Sequence, residues 1–125
     1  MKILVVDDER DVQVLFEQRF RKEIKNGEME LVFAFSGEEA LEYMAMNEHG
    51  AVLILSDINM PGMSGLELLQ HIKEKYEKPP SVVIMLTAYG DAENYNRAMK
   101  LGADDFLTKP VDFKVLTEKL KAKIV

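Results

Sequence analysis

Apolar positions along the chain follow two rhythms. Three short segments, Ile3-Leu4-Val5-Val6, Ala51-Val52-Leu53-Ile54-Leu55 and Val82-Val83-Ile84-Met85-Leu86, are apolar at every position. Their length, β-branched content and lack of a polar face predict central strands of a parallel sheet covered on both sides. Two further segments predict edge strands: Glu30-Leu31-Val32-Phe33-Ala34 is mixed and follows Asn26-Gly27, while Asp105-Phe106-Leu107 is short and begins with an acid. Between the strands, apolar residues recur at helical spacing. Val12, Phe16, Phe20 and Ile24 lie on one face of a single first helix. Ser36 with Glu39, and Ser64 with Glu67, have the capping-box spacing that opens a helix. Their inward residues would be Ala40, Leu41 and Met44 in the second helix, and Leu68, Leu69, Ile72 and Tyr76 in the third. Asp91 is placed to cap a fourth helix that Gly102 ends in a left-handed turn. Asp112 is placed to cap a fifth, with Phe113, Leu116, Leu120 and Ile124 on its buried stripe.

Strand and helix therefore alternate five times, which calls for an α/β doubly wound, five-stranded parallel sheet with helices on both faces. Edge positions for the second and fifth strands fit the flavodoxin-like order 2-1-3-4-5, in which the first and third strands are neighbours at the switch point. No linker, repeat or low-complexity segment interrupts the pattern, so residues 1–125 are expected to form one domain. Apolar residues at 47% and charged residues at 30% exclude a disordered chain. A net charge of −6 argues against direct nucleic-acid binding or adhesion to an anionic membrane. With no cysteine, thiol chemistry and disulfides are excluded. The first apolar run ends at once in Asp7-Asp8, unlike a signal peptide, and no stretch approaches the roughly 20 apolar residues that span a bilayer. A cytoplasmic location is expected.

In such a sheet function collects at the carboxyl ends of the strands. Those ends carry Asp7 and Asp8 after the first strand, Asp57 after the third, Thr87 after the fourth and Lys109 after the fifth. Three converging carboxylates repel and titrate as a coupled set unless a cation joins them. An all-oxygen donor set of this kind suits Mg²⁺ (or Mn²⁺), and Lys109 brings the summed charge of three acids, one divalent ion and one ammonium to zero.

Taken together, Asp7-Asp8, the segment Asp57-Ile58-Asn59-Met60-Pro61-Gly62-Met63-Ser64-Gly65, Thr87-Ala88 and Lys109-Pro110 resemble the motifs of response-regulator receiver domains of two-component signalling, of the chemotaxis-regulator kind. Any one piece is weak evidence, but their joint occurrence in the right order over nearly the whole chain is specific. The resemblance implies a phosphoacceptor rather than a conventional enzyme. Asp57 would take a phosphoryl group from a phosphohistidine or small phosphodonor. Asp8, Asp57 and the Asn59 backbone carbonyl would bind Mg²⁺ directly, with Asp7 acting through a water. Lys109 would pair with the phosphoryl group and Thr87 would reorient toward it. Phe106 would be the switch aromatic, with Ala88 small enough to admit the ring, Tyr89 and Asn59 influencing phosphoryl lifetime, and Lys109–Pro110 a cis bond. The implied partners are a histidine kinase or phosphotransfer protein and a downstream effector protein or effector domain, with phosphorylation-dependent homodimerisation as an option. Output would pass through the fourth helix, fifth strand and fifth helix.

Plainer readings exist for each residue alone. Asp7 and Asp8 could cap the first helix; Asp57 could be a turn residue before Pro61-Gly62; Phe106 could be ordinary packing. His49 and His71 lack ligand spacing, and the methionines read as core filler. Two rival functions also exist. An aspartate-based phosphohydrolase typically has an acid two residues after its nucleophile, where this chain has Asn59. A degenerate module that binds constitutively would not need the full set of acids with Thr87 and Lys109.

Overall fold

The structure, a computed structural model, describes residues 1–46, 53–75, 82–87 and 92–124, without the side chains of residues 123 and 124. In chain order the elements are β1 (Lys2–Val6), α1 (Asp11–Arg19), α2 (Arg21–Lys25), β2 (Glu30–Ala34), α3 (Gly37–Met46), β3 (Leu53–Asp57), α4 (Gly65–Lys75), β4 (Val82–Thr87), α5 (Ala92–Lys100), β5 (Asp105–Thr108) and α6 (Phe113–Ile124). The five strands pair in parallel in the order β2-β1-β3-β4-β5, as expected. Every described residue of β3 is buried, whereas the edges β2 and β5 are largely half-buried.

The two-residue period of a strand sends successive side chains to opposite faces, and the core divides accordingly. Leu4, Val6, Ile54, Val83 and Met85 pack toward Ala40 and Met44 of α3, Leu68, Leu69 and Ile72 of α4, and Ala98 of α5. Ile3, Val5, Leu53, Leu55, Ile84 and Leu86 pack toward Phe16, Phe20, and Leu116 and Leu120 of α6. Phe113 seals that second face, edge-on to Phe16 at 5.2 Å and to Phe20 at 5.8 Å between ring centroids. Each fully buried Leu or Ile contributes roughly 1.5–3 kcal/mol.

The capping signals at Ser36, Ser64 and Asp112 are present. Ser36 Oγ accepts the Glu39 N–H at 3.0 Å, although Glu39 reaches back to the Phe35 N–H at 3.0 Å, one residue earlier than a capping box requires. Ser64 Oγ accepts the Glu67 N–H, and Asp112 Oδ1 accepts those of Lys114 and Val115. Gly102 ends α5 at φ +99°. Three expectations are corrected. The single first helix is two, because Phe20 leaves helical geometry at φ −103° and ψ 23°, and Ile24 turns outward. Neither Asp7 nor Asp8 caps α1, whose N-cap is Arg10 with no side-chain cap bond. Strands β3 and β4 run on to include Asp57 and Thr87, which pair with Leu86 and Thr108. Ala51, Val52, His49, Tyr76, Asp91, and the motif residues Ala88 and Tyr89, lie outside the described residues.

Candidate functional site

The ends of β1, β3, β4 and β5 deliver the functional groups, and backbone bonds between neighbouring segments hold them in place. The Asp7 N–H donates to the Ala34 carbonyl at the end of β2. Ile58 N–H donates to the Leu86 carbonyl and fixes the residue after Asp57, and the Lys109 N–H donates to the Thr87 carbonyl. Charged side chains from three strand ends are thereby brought together on a rigid frame. Oxygens of Asp7, Asp8 and Asp57 lie within 4.8 Å of one another. Asp7 and Asp57 are buried, while Asp8 is exposed at the rim.

Lys109 bridges the two buried acids, with Nζ 2.7 Å from Asp7 Oδ2 and 3.2 Å from Asp57 Oδ2. Asp7 also accepts the Glu9 N–H at 2.9 Å, which orients the turn into α1. Burial pushes the Asp57 carboxyl above its ordinary value, Lys109 opposes that, and the charge on Asp7 adds to it. For Lys109, burial pulls the ammonium down, but the Asp7 and Asp57 carboxylates together outweigh it and hold its proton more tightly than usual. One ammonium therefore stands against three acids, and the cluster carries a net charge of about −2 when all are ionised. Oxygen donors with surplus negative charge and one exposed member are suited to a hard divalent cation that keeps part of its water.

The remaining residues singled out from the sequence are also near the strand ends. Thr87 is buried as the last residue of β4, and Asn59 is exposed at the start of the loop after β3, where its backbone hydrogen-bonds the Asp57 carboxylate. Lys109–Pro110 is cis. Phe106 is half-buried on β5, beside Met85 in register. Its ring meets Tyr95 of α5 edge-on at 5.2 Å, and that tyrosine is 46% exposed.

Three contacts around the site had no sequence signal strong enough to find them. Tyr95 lies eleven residues before Phe106 on a different element. The Arg10 guanidinium stacks 4.2 Å over the Phe35 ring, joining the loops after β1 and β2. Glu38 reaches across to the loop after β3. All three depend on which strand ends become neighbours, a property of the assembled sheet. What strand ends alone could anticipate is the set Asp7, Asp8, Asp57, Thr87 and Lys109.

Comparison with known proteins agrees with this geometry. The family model described as the response regulator receiver domain matches residues 3–121. Among solved structures, the response regulator TrrA from Thermotoga maritima, determined in complex with Mg²⁺ and BeF, shares 33% identity and superposes with a TM-score of 0.81, covering 98% of each chain. A receiver domain protein from Clostridium thermocellum shares 32% identity at a TM-score of 0.80, over 98% of this chain and 93% of that one. The chemotaxis protein CheY4 of Vibrio cholerae shares 25% identity at a TM-score of 0.82, covering 98% of each chain. With a family match spanning nearly its full length and relatives of the same fold above 30% identity, this chain belongs to the response regulator receiver domain family of two-component systems.

Proposed function

We propose that residues 1–125 act as a single receiver domain in which Asp57 accepts a phosphoryl group and Asp8, Asp57 and the Asn59 carbonyl hold Mg²⁺ (or Mn²⁺), with Asp7 contacting it through water. The observation that carries this reading is the convergence of three carboxylates within 4.8 Å of one another, with Lys109 shared between the two buried ones. The resemblance to a relative solved with Mg²⁺ and a BeF group supports the choice of cation. Bound there, the cation offsets carboxylate repulsion and the negative charge of an incoming phosphoryl group.

The chain's own groups do the rest. An Asp57 oxygen attacks phosphorus as the P–N bond of a phosphohistidine donor breaks, forming an aspartyl O–P bond. Asp57 then carries about two negative charges in place of one. Lys109 is near enough to move from the carboxylates to the new oxygens. Thr87, buried at the neighbouring strand end, supplies a hydroxyl, and Phe106 with Tyr95 carries the change to α5, β5 and α6. That surface would meet an effector protein or domain, or a second copy of the chain. A histidine kinase or phosphotransfer protein would dock beside α1, where Val14 and Leu15 are each 54% exposed and Leu15 lines a cavity of about 690 Å³ that reaches Asp7, Lys109 and Pro110. Among the described residues no helix is long and apolar enough to cross a membrane.

Incubation with Mg²⁺ and acetyl phosphate, or with a phosphorylated histidine kinase domain, is expected to add the mass of one phosphoryl group, and a chelator is expected to prevent it. No addition from either donor, together with no beryllofluoride binding, would reject the reading.

A separate expectation concerns Lys109. Its ammonium competes with a divalent cation for Asp7 and Asp57, so Lys109→Met should bind Mg²⁺ several-fold more tightly while phosphoryl uptake slows by about tenfold or more. Weaker Mg²⁺ binding by the variant in calorimetric titration would show that Lys109 helps to build the site instead of competing for it.

A further inference from the structure

The loop from Ile58 to Ser64 begins at the buried acid and carries Asn59, yet its outer half projects from the sheet. Its base is anchored by the Gly65 N–H, which donates to the Ile58 carbonyl at 2.8 Å. Its far side is gripped by the first turn of α3. Glu38 Oε1 accepts the Met63 N–H at 3.0 Å, although the two residues lie 25 positions apart. The Met63 side chain lies so close over Gly37 that a Cβ there would stand 2.9 Å from its sulfur. Gly62, at φ +75°, takes the left-handed turn that brings the loop alongside the Glu38 carboxylate, to which even a Cβ would come only into ordinary contact, at 3.4 Å from Oε2. Glu39, next in sequence, accepts the Phe35 N–H, and its own N–H is held by Ser36. The carboxylate of Glu38 therefore projects from a turn whose backbone is already fixed.

We infer that Glu38 is a positioning residue for the cation site: by holding Met63 it fixes the loop in which Asn59 presents its backbone carbonyl beside Asp57. This inference rests on the cation-site reading above. The working element is the hydrogen-bond acceptor, not the charge, because Glu38 is exposed and its field is weakened by water and salt. A residue acting through one solvent-accessible hydrogen bond can shift affinity by at most about tenfold, the worth of such a bond.

The test compares Glu38→Ala and Glu38→Gln with the unaltered protein at constant ionic strength. It reads Mg²⁺ affinity by calorimetry and amide exchange at Met63 and Asn59 by NMR without metal. Glu38→Ala is expected to weaken Mg²⁺ binding three- to tenfold, on the order set by one hydrogen bond, and to speed exchange at Met63. Glu38→Gln retains the acceptor and is expected to restore both. Equal Mg²⁺ affinity in all three proteins would overturn the inference. So would a Gln variant as weak as the Ala variant, since that assigns the effect to charge. If the unaltered protein itself binds no Mg²⁺, the cation-site reading fails and Glu38's role in it falls with it. Exchange at Met63 then still decides whether the residue holds the loop.

Discussion

Asp57→Asn is expected to abolish phosphoryl uptake while making the unphosphorylated protein more stable, by a few degrees at neutral pH on the order typical of a domain this size. The first half follows from chemistry, because an amide oxygen cannot form the aspartyl phosphate. The second half follows from burial. Asp57 is 5% exposed, and burial raises its proton affinity despite Lys109. A carboxyl that binds its proton more tightly in the folded chain than in the unfolded one stabilises folding only in acid. That contribution is lost as pH rises from the ordinary carboxylate range through the higher folded value. Above that window the wild type bears the full cost of an ionised buried acid, and asparagine bears none. Lys109 is not orphaned in the variant, since its nearer partner is Asp7 at 2.7 Å. The advantage should therefore be complete at neutral pH, vanish in acid, and shrink when Mg²⁺ is added to both proteins. Thermal unfolding across pH, beside intact mass after treatment with a phosphodonor, measures both halves. A phosphoryl group on the variant would move the acceptor elsewhere, and a loss of stability at neutral pH would contradict the burial argument.

Gly65→Ala is expected to cause the largest structural damage, about 3 kcal/mol or more, equivalent to a fall in unfolding midpoint beyond roughly 10 °C. A Cβ at this position would overlap the Asp57 carbonyl oxygen and lie 2.7 Å from Ile58 Cα. Both obstacles are backbone in or beside the fully buried strand β3, so no flexible side chain can swing aside. Relief requires α4 to lift from the sheet or Asp57 to move, and the first exposes Leu66, Leu68 and Leu69. Mg²⁺ binding should fall with stability because the displaced segment carries Asp57. Urea unfolding with the slope compared between proteins is the appropriate measurement; a loss of unfolding free energy below about 0.5 kcal/mol would mean that the strand end yields cheaply.

Where periodicity and local chemistry decide the outcome, the sequence is a sufficient guide. The apolar runs at Ile3–Val6 and Val82–Leu86 have no polar face to expose, so only the middle of a covered sheet accommodates them. Ser36, Ser64 and Asp112 act within three residues of the N–H groups they cap. The break at Phe20 was not legible, because the same spacing satisfies a straight helix. At the break the Phe20 ring packs edge-on to Phe113 of α6, a contact between distant elements that spacing along one helix does not report. Within the site, the charges at Asp7, Asp57 and Lys109 were readable from strand ends, but the division of Lys109 between two acids depends on ångström distances that no spacing encodes. Glu38 on Met63 and Tyr95 on Phe106 were invisible for the same reason.

The Asp7–Lys109 ion pair joins residues 102 positions apart, with Asp57 between them in sequence and its strand β3 between β1 and β5 in the sheet. Loop closure over such a span is slow, and it comes last when a chain is made from its amino end. A growing polypeptide on the ribosome thus displays all three acids long before the ammonium that balances them. Until β5 is made and docks, Asp7 and Asp57 lack the ammonium that they share in the folded chain. Docking of the sheet's far edge, β5, is therefore the step that brings the counter-charge to the two buried acids, and a chain in which that edge has come away leaves their mutual repulsion uncompensated.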